Sequence, residues 1–314
     1  ERFYQRGEPA RAHALLSASR RQFAAEADAW GTAVVGVIEA KATMLRGNIN
    51  RAHDAARTLV ADFEELGDAA GQVMALDIAG YCAEIRGELN VAARIHHRAL
   101  ELAHRSSASE WEAAQLIRIG SILALAGERD ADSTLSQAHD LATGIGSDAS
   151  LALARNAMGL SLSLSGEVDK AVTSHEQSLE WYERQGSRAG VSYSAGRLAC
   201  EIVGWQPDRA LALAERSVSL AVETNDPRAV AHGLEALARV ARDPVRSARA
   251  LGGARALRLR THAPLPAVLN APLLQTERRL VDELGGDFLV RELRVGARQS
   301  TDLPTLAREM PDTP

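Results

Sequence analysis

At 314 residues the chain has room for about two ordinary domains, and its 46% hydrophobic content excludes a disordered segment. Aromatic residues make up only 4%, while Ala and Leu dominate, which favours helices over strands. The net charge of −5 gives no electrostatic case for nucleic-acid binding, although 34 of the 36 basic residues are Arg and only Lys41 and Lys170 are Lys.

Cys82 and Cys200 form no CxxC spacing and no disulfide framework, which suits a reducing compartment. No run approaches the ~18 apolar residues of a membrane span, and no signal peptide is evident, so a cytoplasmic location without membrane contact is expected. The chain opens with Glu, and ERFYQRG reads as the tail of a helix whose start lies upstream. A fragment of a longer protein is therefore expected.

In chain order one signal keeps returning. It reads RGEPARAHALL from Arg6, RGNINRAHDAA from Arg46, RGELNVAARIHHRAL from Arg86, AGERDADSTLS from Ala126 and SGEVDKAVTSH from Ser165. Its glycines, Gly7, Gly47, Gly87, Gly127 and Gly166, are separated by 40, 40, 40 and 39 residues. Each interval holds two helical runs. Ala69 to Arg86 carries Val73, Leu76, Ile78 and Ile85. Gly87 then breaks the helix, Glu88 favours the next helix start, and Val91, Ala92, Ile95, Ala99, Leu102 and Ala103 recur at helical spacing. Ser106 and Ser107 are expected to cap the helix that follows.

An Ala stands five residues after the loop glycine at Ala12, Ala52, Ala92 and Ala171, marking where paired helices approach closely. The fourth unit departs, with Asp132 in the fifth place and Ala131 in the fourth. Later the register loosens: Ala210 follows Gly204 by six, and Ala248 follows Asp243-Pro244. A second loop also recurs, as LGDAA from Leu66, RSSAS from Arg105, GIGSD from Gly144, RQGSR from Arg184 and TNDPR from Thr224. Asp226-Pro227 and Asp243-Pro244 read as an N-cap followed by Pro at the first helical position. The period and its two-helix content predict an all-α fold, an α-solenoid of helix pairs.

These features resemble tetratricopeptide repeats. Gly80, Gly120 and Gly159 stand seven before Gly87, Gly127 and Gly166, as that family's small first-helix residue does. The period of 38 to 40 is longer than the family's ~34. His96, Ser136 and His175 replace its large aromatic, nine after the loop glycine. The stretch ARALGGARALRLRTHAPLP from Ala248, with ERRLVDELGGDFLVRELRVGARQSTDLPTLARE up to Glu309, resembles the end of the repeat region in actinobacterial LuxR-type ATPase regulators. That resemblance implies a right-handed array of about six or seven helix pairs over residues 1–259 and a helical cap and tail over 260–314. It further implies an ATPase domain upstream and, often, a helix-turn-helix beyond.

Chemistry-bearing motifs are scarce. No GxxxxGK[ST] loop is present, GIGSD follows no strand, and HEQSL at His175 fails as HExxH, so no cofactor is expected. Adjacent His96 and His97 point about 100° apart on a helix, and nothing completes a metal site with His97 and His104. No GxSxG context surrounds a Ser. The segment is not expected to be an enzyme.

A partner is expected on the concave face, lined by the first helix of each pair. Family geometry places inward positions three, six and ten before the loop glycine. These are Lys41 and Met44, then Asp77, Tyr81 and Glu84, then Ile117 and Ser121, then Asn156 and Ser163. Tyr81 between Asp77 and Glu84 either grips a basic or polar ligand or is one amphipathic side chain on a solvated face. The Lys/Asn clamp of chaperone-binding repeats is absent. Trp30 and Trp111, near the starts of first helices, read as core packing, and Trp205 as sealing a repeat edge. Residues 243–300 carry ten Arg against six acids, an excess of four that reads more readily as a cap than as a DNA contact. The expected function is the signal-sensing, protein-interaction arm of a bacterial transcriptional regulator. A protein or small-molecule effector and the upstream ATPase domain are its partners, with no direct nucleic-acid contact by this segment. The alternative is a free-standing scaffold.

Overall fold

The computed structural model describes residues 9–300. It contains fifteen α-helices: α1 (Pro9–Ala25), α2 (Ala29–Leu45), α3 (Ile49–Glu65), α4 (Ala69–Ile85), α5 (Leu89–Arg105), α6 (Ser109–Ala126), α7 (Ala131–Gly144), α8 (Asp148–Leu164), α9 (Val168–Arg184), α10 (Arg188–Ile202), α11 (Pro207–Thr224), α12 (Pro227–Val240), α13 (Pro244–Arg260), α14 (Ala267–Leu284) and α15 (Gly286–Gln299). Among the described residues there is no strand, and no helix is long and apolar enough to cross a membrane. From α2 to α7 and from α10 to α13 the helices form packed pairs, as in an α-helical repeat array. Gly7 and the match from Thr301 to Glu309 lie outside the described residues.

The chain divides into two compact units, Glu1–Ser161 and Leu162–Pro314. In the first, consecutive helices from α1 to α7 pack together, and the first helices α2, α4 and α6 also touch in sequence. In the second, α10 and α12 do the same.

The periodic glycine is a helix stop. Gly47, Gly87, Gly127 and Gly166 all adopt positive φ, between 73° and 85°. This lets the next N–H fold back, as Glu88 N does to Ala83 O at 3.0 Å. The loops between pairs use the same left-handed closure, at Gly67, Gly146 and Gly186 but also at Ala27, Ser107 and Asn225. Ser106 and Ser107 therefore do not cap α6. Ser107 holds the left-handed position, Ser106 returns its hydroxyl to Leu102 O at 2.8 Å, and Ala108 is the N-cap. Asp226 and Asp243 do cap α12 and α13, each ahead of a first-turn Pro.

The marker alanines are sealed. Ala52, Ala92, Ala171, Ala210 and Ala248 have no exposed surface. In the fourth unit the spacing from loop glycine to marker is one residue shorter, so Ala131, at 4% and the first residue of α7, takes the marker's place and Asp132 turns outward. The large residue four positions on is then Leu135, not Ser136, and it matches His96 and His175. A Cβ on Gly80 would stand 2.5 Å from the His96 ring, and one on Gly120 would stand 2.6 Å from Leu135. Each small residue on a first helix thus makes room for the large residue of its partner.

A second exchange spans the loop between pairs. Asp28, Asp68 and Ser187 accept the N–H of Gly31, Gly71 and Gly190, and a Cβ on those glycines would fall inside the rings of Phe23, Phe63 and Tyr182. One unit after Phe63 and Gly71 the sizes reverse. Ala103 is sealed, and Trp111 packs on the same core. Trp30 instead stays half exposed and donates from Nε1 to Asp68 Oδ2 at 2.7 Å, tying one N-terminal turn to the next.

The ALGGA stretch is a helix crossing. A Cβ on Gly252 of α13 would collide with the carbonyl of Leu293 on α15, and one on Gly296 with the carbonyl of Arg249. Half of the ten Arg in this end are neutralised by Glu. Arg246, Arg249, Arg255, Arg258 and Arg279 pair with Glu215, Glu292, Glu277, Glu235 and Glu283. Because backbone cannot retreat as a side chain can, Gly252→Ala and Gly296→Ala should each cost about 1–3 kcal/mol or more in urea unfolding. Gly286→Ala, at a helix start where an added Cβ meets nothing within 4 Å, should stay within about 0.5 kcal/mol. Equal effects at all three sites would contradict the crossing.

Candidate functional site

The first helices of the first unit bring three of the expected residues together. Asp77, Tyr81 and Glu84 share one face of α4, at spacings of four and three. Their occupant comes from α6 of the same chain. Arg118 lies 3.9 Å over the Tyr81 ring, with Nε 3.7 Å from Asp77 and 4.0 Å from Glu84. The grip expected for a basic ligand is closed on an internal guanidinium.

Beneath it runs a polar chain. An ionised Asp77 only accepts, so the Gln115 amide donates to it at 3.1 Å. That turns the Gln115 carbonyl toward His96 Nδ1 at 2.7 Å, which must carry a hydrogen, while Nε2 faces Glu84 at 2.9 Å. His96 has no exposed surface, so it is a buried link between two helices and not a metal ligand open to solvent. Burial pushes the Asp77 carboxyl up, but the charges of Arg118, His96 and Lys41 outweigh it and hold the group below its usual range. Arg118 is held protonated by Glu84, Asp77 and Tyr81 against its own desolvation.

The other expected residues fall elsewhere. Lys41, on α2, reaches Asp77 through its charge. Ser121 bonds back to Ile117 O at 2.8 Å. Asn156, Met44 and Ile117 are buried at 6%, 2% and 8%, which makes them core. Ser163 donates to Glu201 at 2.6 Å. His104 is exposed and meets Glu112 at 3.2 Å. Among the described residues no three His, Cys, Asp or Glu gather as metal ligands would.

The second unit has a cluster that inward-position counting missed. Tyr193 of α10 stacks on His232 of α12 at 4.9 Å, and His232 Nε2 lies 3.2 Å from Tyr193 O. Arg197 sits 5.4 Å from the Tyr193 ring and donates to its hydroxyl at 3.3 Å. Glu235 holds Arg258 in two bonds of 2.7 and 2.9 Å. Burial, and then the charge of Arg197, pushes sealed His175 down to about 3. Burial, Arg197 and Arg258 push His232 down as well, against the Tyr193 carbonyl.

No protein-family model matches the chain, and no curated protein matches it. Among solved structures the chain is similar to a signal transduction ATPase with numerous domains (STAND) protein with a tetratricopeptide repeat sensor from Pyrococcus horikoshii. The TM-score is 0.50 at 18% identity, covering 88% of this chain and 42% of that one. It is also similar to BtubC (BKLC) from P. vanneervenii, with a TM-score of 0.44 at 16% identity over 71% of this chain and 93% of that one. The chain thus spans less than half the length of the STAND protein, and that likeness places its fold among helical repeats.

His175 makes the fold acid-sensitive in a defined direction. Its folded value near 3 lies below the ordinary 6.5, so unfolding takes up a proton. This contribution is complete above pH 6.5 and declines as pH falls from there toward 3. Between pH 7 and pH 5 the loss from this group is about 2 kcal/mol. Leu135 already fills the same register position, so His175→Leu should fold and remove that much of the acid loss, read by urea unfolding at both pH values. An unchanged loss would show that His175 is not held neutral.

Proposed function

We propose that this chain is the signal-sensing, protein-interaction arm of a larger signal-transducing ATPase, with a binding rather than a catalytic role. The observation that supports this most is the likeness over 88% of the chain to a STAND protein with a tetratricopeptide repeat sensor. The first helices add to it. They carry partly exposed charged and aromatic side chains, including Tyr81, Arg118, Tyr193 and Arg197, where a repeat array presents its binding surface. At a finer level the reading is a cytoplasmic transcriptional regulator of LuxR type. Its motive is the resemblance of Ala248 to Glu309. An effector or partner on the first-helix face would bind two states of the array unequally and so release the ATPase domain from inhibition.

The test isolates the native polypeptide that carries these residues and measures its ATP turnover with the repeat segment present and deleted. The reading expects a P-loop domain in the same polypeptide and turnover raised roughly 5-fold or more by the deletion. A polypeptide with no nucleotide-binding domain would overturn it.

A further inference from the structure

We propose that the face shared by α10 and α12 binds an oxyanion, a carboxylate or phosphate group, held by Arg197 and Arg239. The argument starts from register. Arg197 stands ten residues after its helix cap Ser187, as Arg118 stands ten after Ala108. Both lie near a tyrosine ring, but their charges are handled differently. Arg118 faces Asp77 and Glu84, whereas no carboxylate among the described residues lies within 4.0 Å of Arg197. The position corresponding to Glu84 is Ser163, which is neutral and already bonded to Glu201. Glu235, whose charge reaches Arg197, is engaged by Arg258 on both oxygens.

Helix geometry brings the second guanidinium to the same face. Helices α10 and α12 are alternate members of the array joined by short turns, so they run parallel. Tyr193 and His232 touch across them. Seven residues on, two turns along the same faces, stand Cys200 and Arg239, and Arg197 lies on that row of α10 between Tyr193 and Cys200. The charges of Arg239 and Arg197 both act on the Cys200 thiol. The Arg239 side chain has no hydrogen bond or ion pair to a described residue. Arg197 spends one donor on Tyr193 and has none sealed without a partner, so its remaining donors reach solvent.

Glu201 and Glu235 also act on Cys200, but Glu201 is bonded to Ser163 and Glu235 to Arg258, so the two partly buried guanidinium groups leave positive charge beside the Tyr193–His232 stack. A planar guanidinium fork matches the paired oxygens of a carboxylate or phosphate, and a desolvated cation gains most from such a partner. A basic ligand would be repelled. This deepens the sensor reading by naming the chemistry of its ligand, and it is tested on the chain alone, so its failure leaves the ATPase test standing.

The experiment titrates the 314-residue chain by calorimetry with inorganic phosphate and, separately, with acetyl-Glu-Glu-amide, at constant ionic strength. Saturable 1:1 binding of at least one is expected. Arg197→Gln should weaken it at least 10-fold, and Arg197→Lys, which keeps charge but loses the fork, should weaken it less. Arg216→Gln, which removes an exposed Arg paired with Glu183, should leave it unchanged. If Arg197→Gln does not give a helical spectrum, Arg197→Lys decides. Tighter phosphate binding assigns the site to a free anion, and tighter dipeptide binding to acidic side chains of a partner. No saturable binding of either probe would overturn the proposal, as would undiminished binding by folded Arg197 variants.

Discussion

The array depends on a volume constraint at the ends of its helices. At four of the six described handovers between pairs, two positions eight residues apart share space for one large side chain, whereas Ala142 with Ser150 and Ala221 with Ala229 are small at both. Phe23 with Gly31, Phe63 with Gly71 and Tyr182 with Gly190 fill it from the preceding second helix. Trp111 with Ala103 fills it from the following first helix. Close packing makes both the overfilled and the empty alternative costly. Within each pair, Gly80 with His96 and Gly120 with Leu135 obey the same rule. Because these contacts fix the helices against one another, the side chains on the first-helix faces stand at repeating places.

On that repeated lattice the chain varies charge. One register position carries Arg twice. In the first unit Arg118 is neutralised by two carboxylates and stacked on Tyr81, with His96 and Gln115 completing the connections beneath. In the second unit Arg197 keeps the aromatic contact without a carboxylate. The first arrangement is self-satisfied and structural. The second leaves positive charge on the shared helix face, and burial together with that charge pushes His175 and His232 toward their neutral forms.

Much of the fold was legible because the loop glycines recur at near-constant spacing and their left-handed backbone has a strong residue preference. Asp226-Pro227 and Asp243-Pro244 were legible for a similar reason, since capping is local chemistry. The second loop hid its identical geometry behind Ala27 and Ser107, which adopt the left-handed conformation without advertising it. Asp132 looked like a broken rule, yet the spacing from loop glycine to marker is one residue shorter there and Ala131 satisfies it. The site was less legible. Counting inward positions found Asp77, Tyr81 and Glu84 but missed Arg118, which occupies them from the next first helix. It also selected Asn156, which the structure buries. Which residues neutralise one another is decided between helices, about one repeat apart, and leaves no local spacing to read.

The central claim, that one shared volume sets the packing at the handovers that carry a large side chain, is tested by moving a pair between repeats. Phe63→Ala and Gly71→Trp together would install in one handover the arrangement that Ala103 and Trp111 make in the next. The measurement is urea unfolding of both single variants and the double. The account predicts that each single change costs about 2–4 kcal/mol and that the double recovers at least half of the summed loss. Strictly additive losses would contradict it.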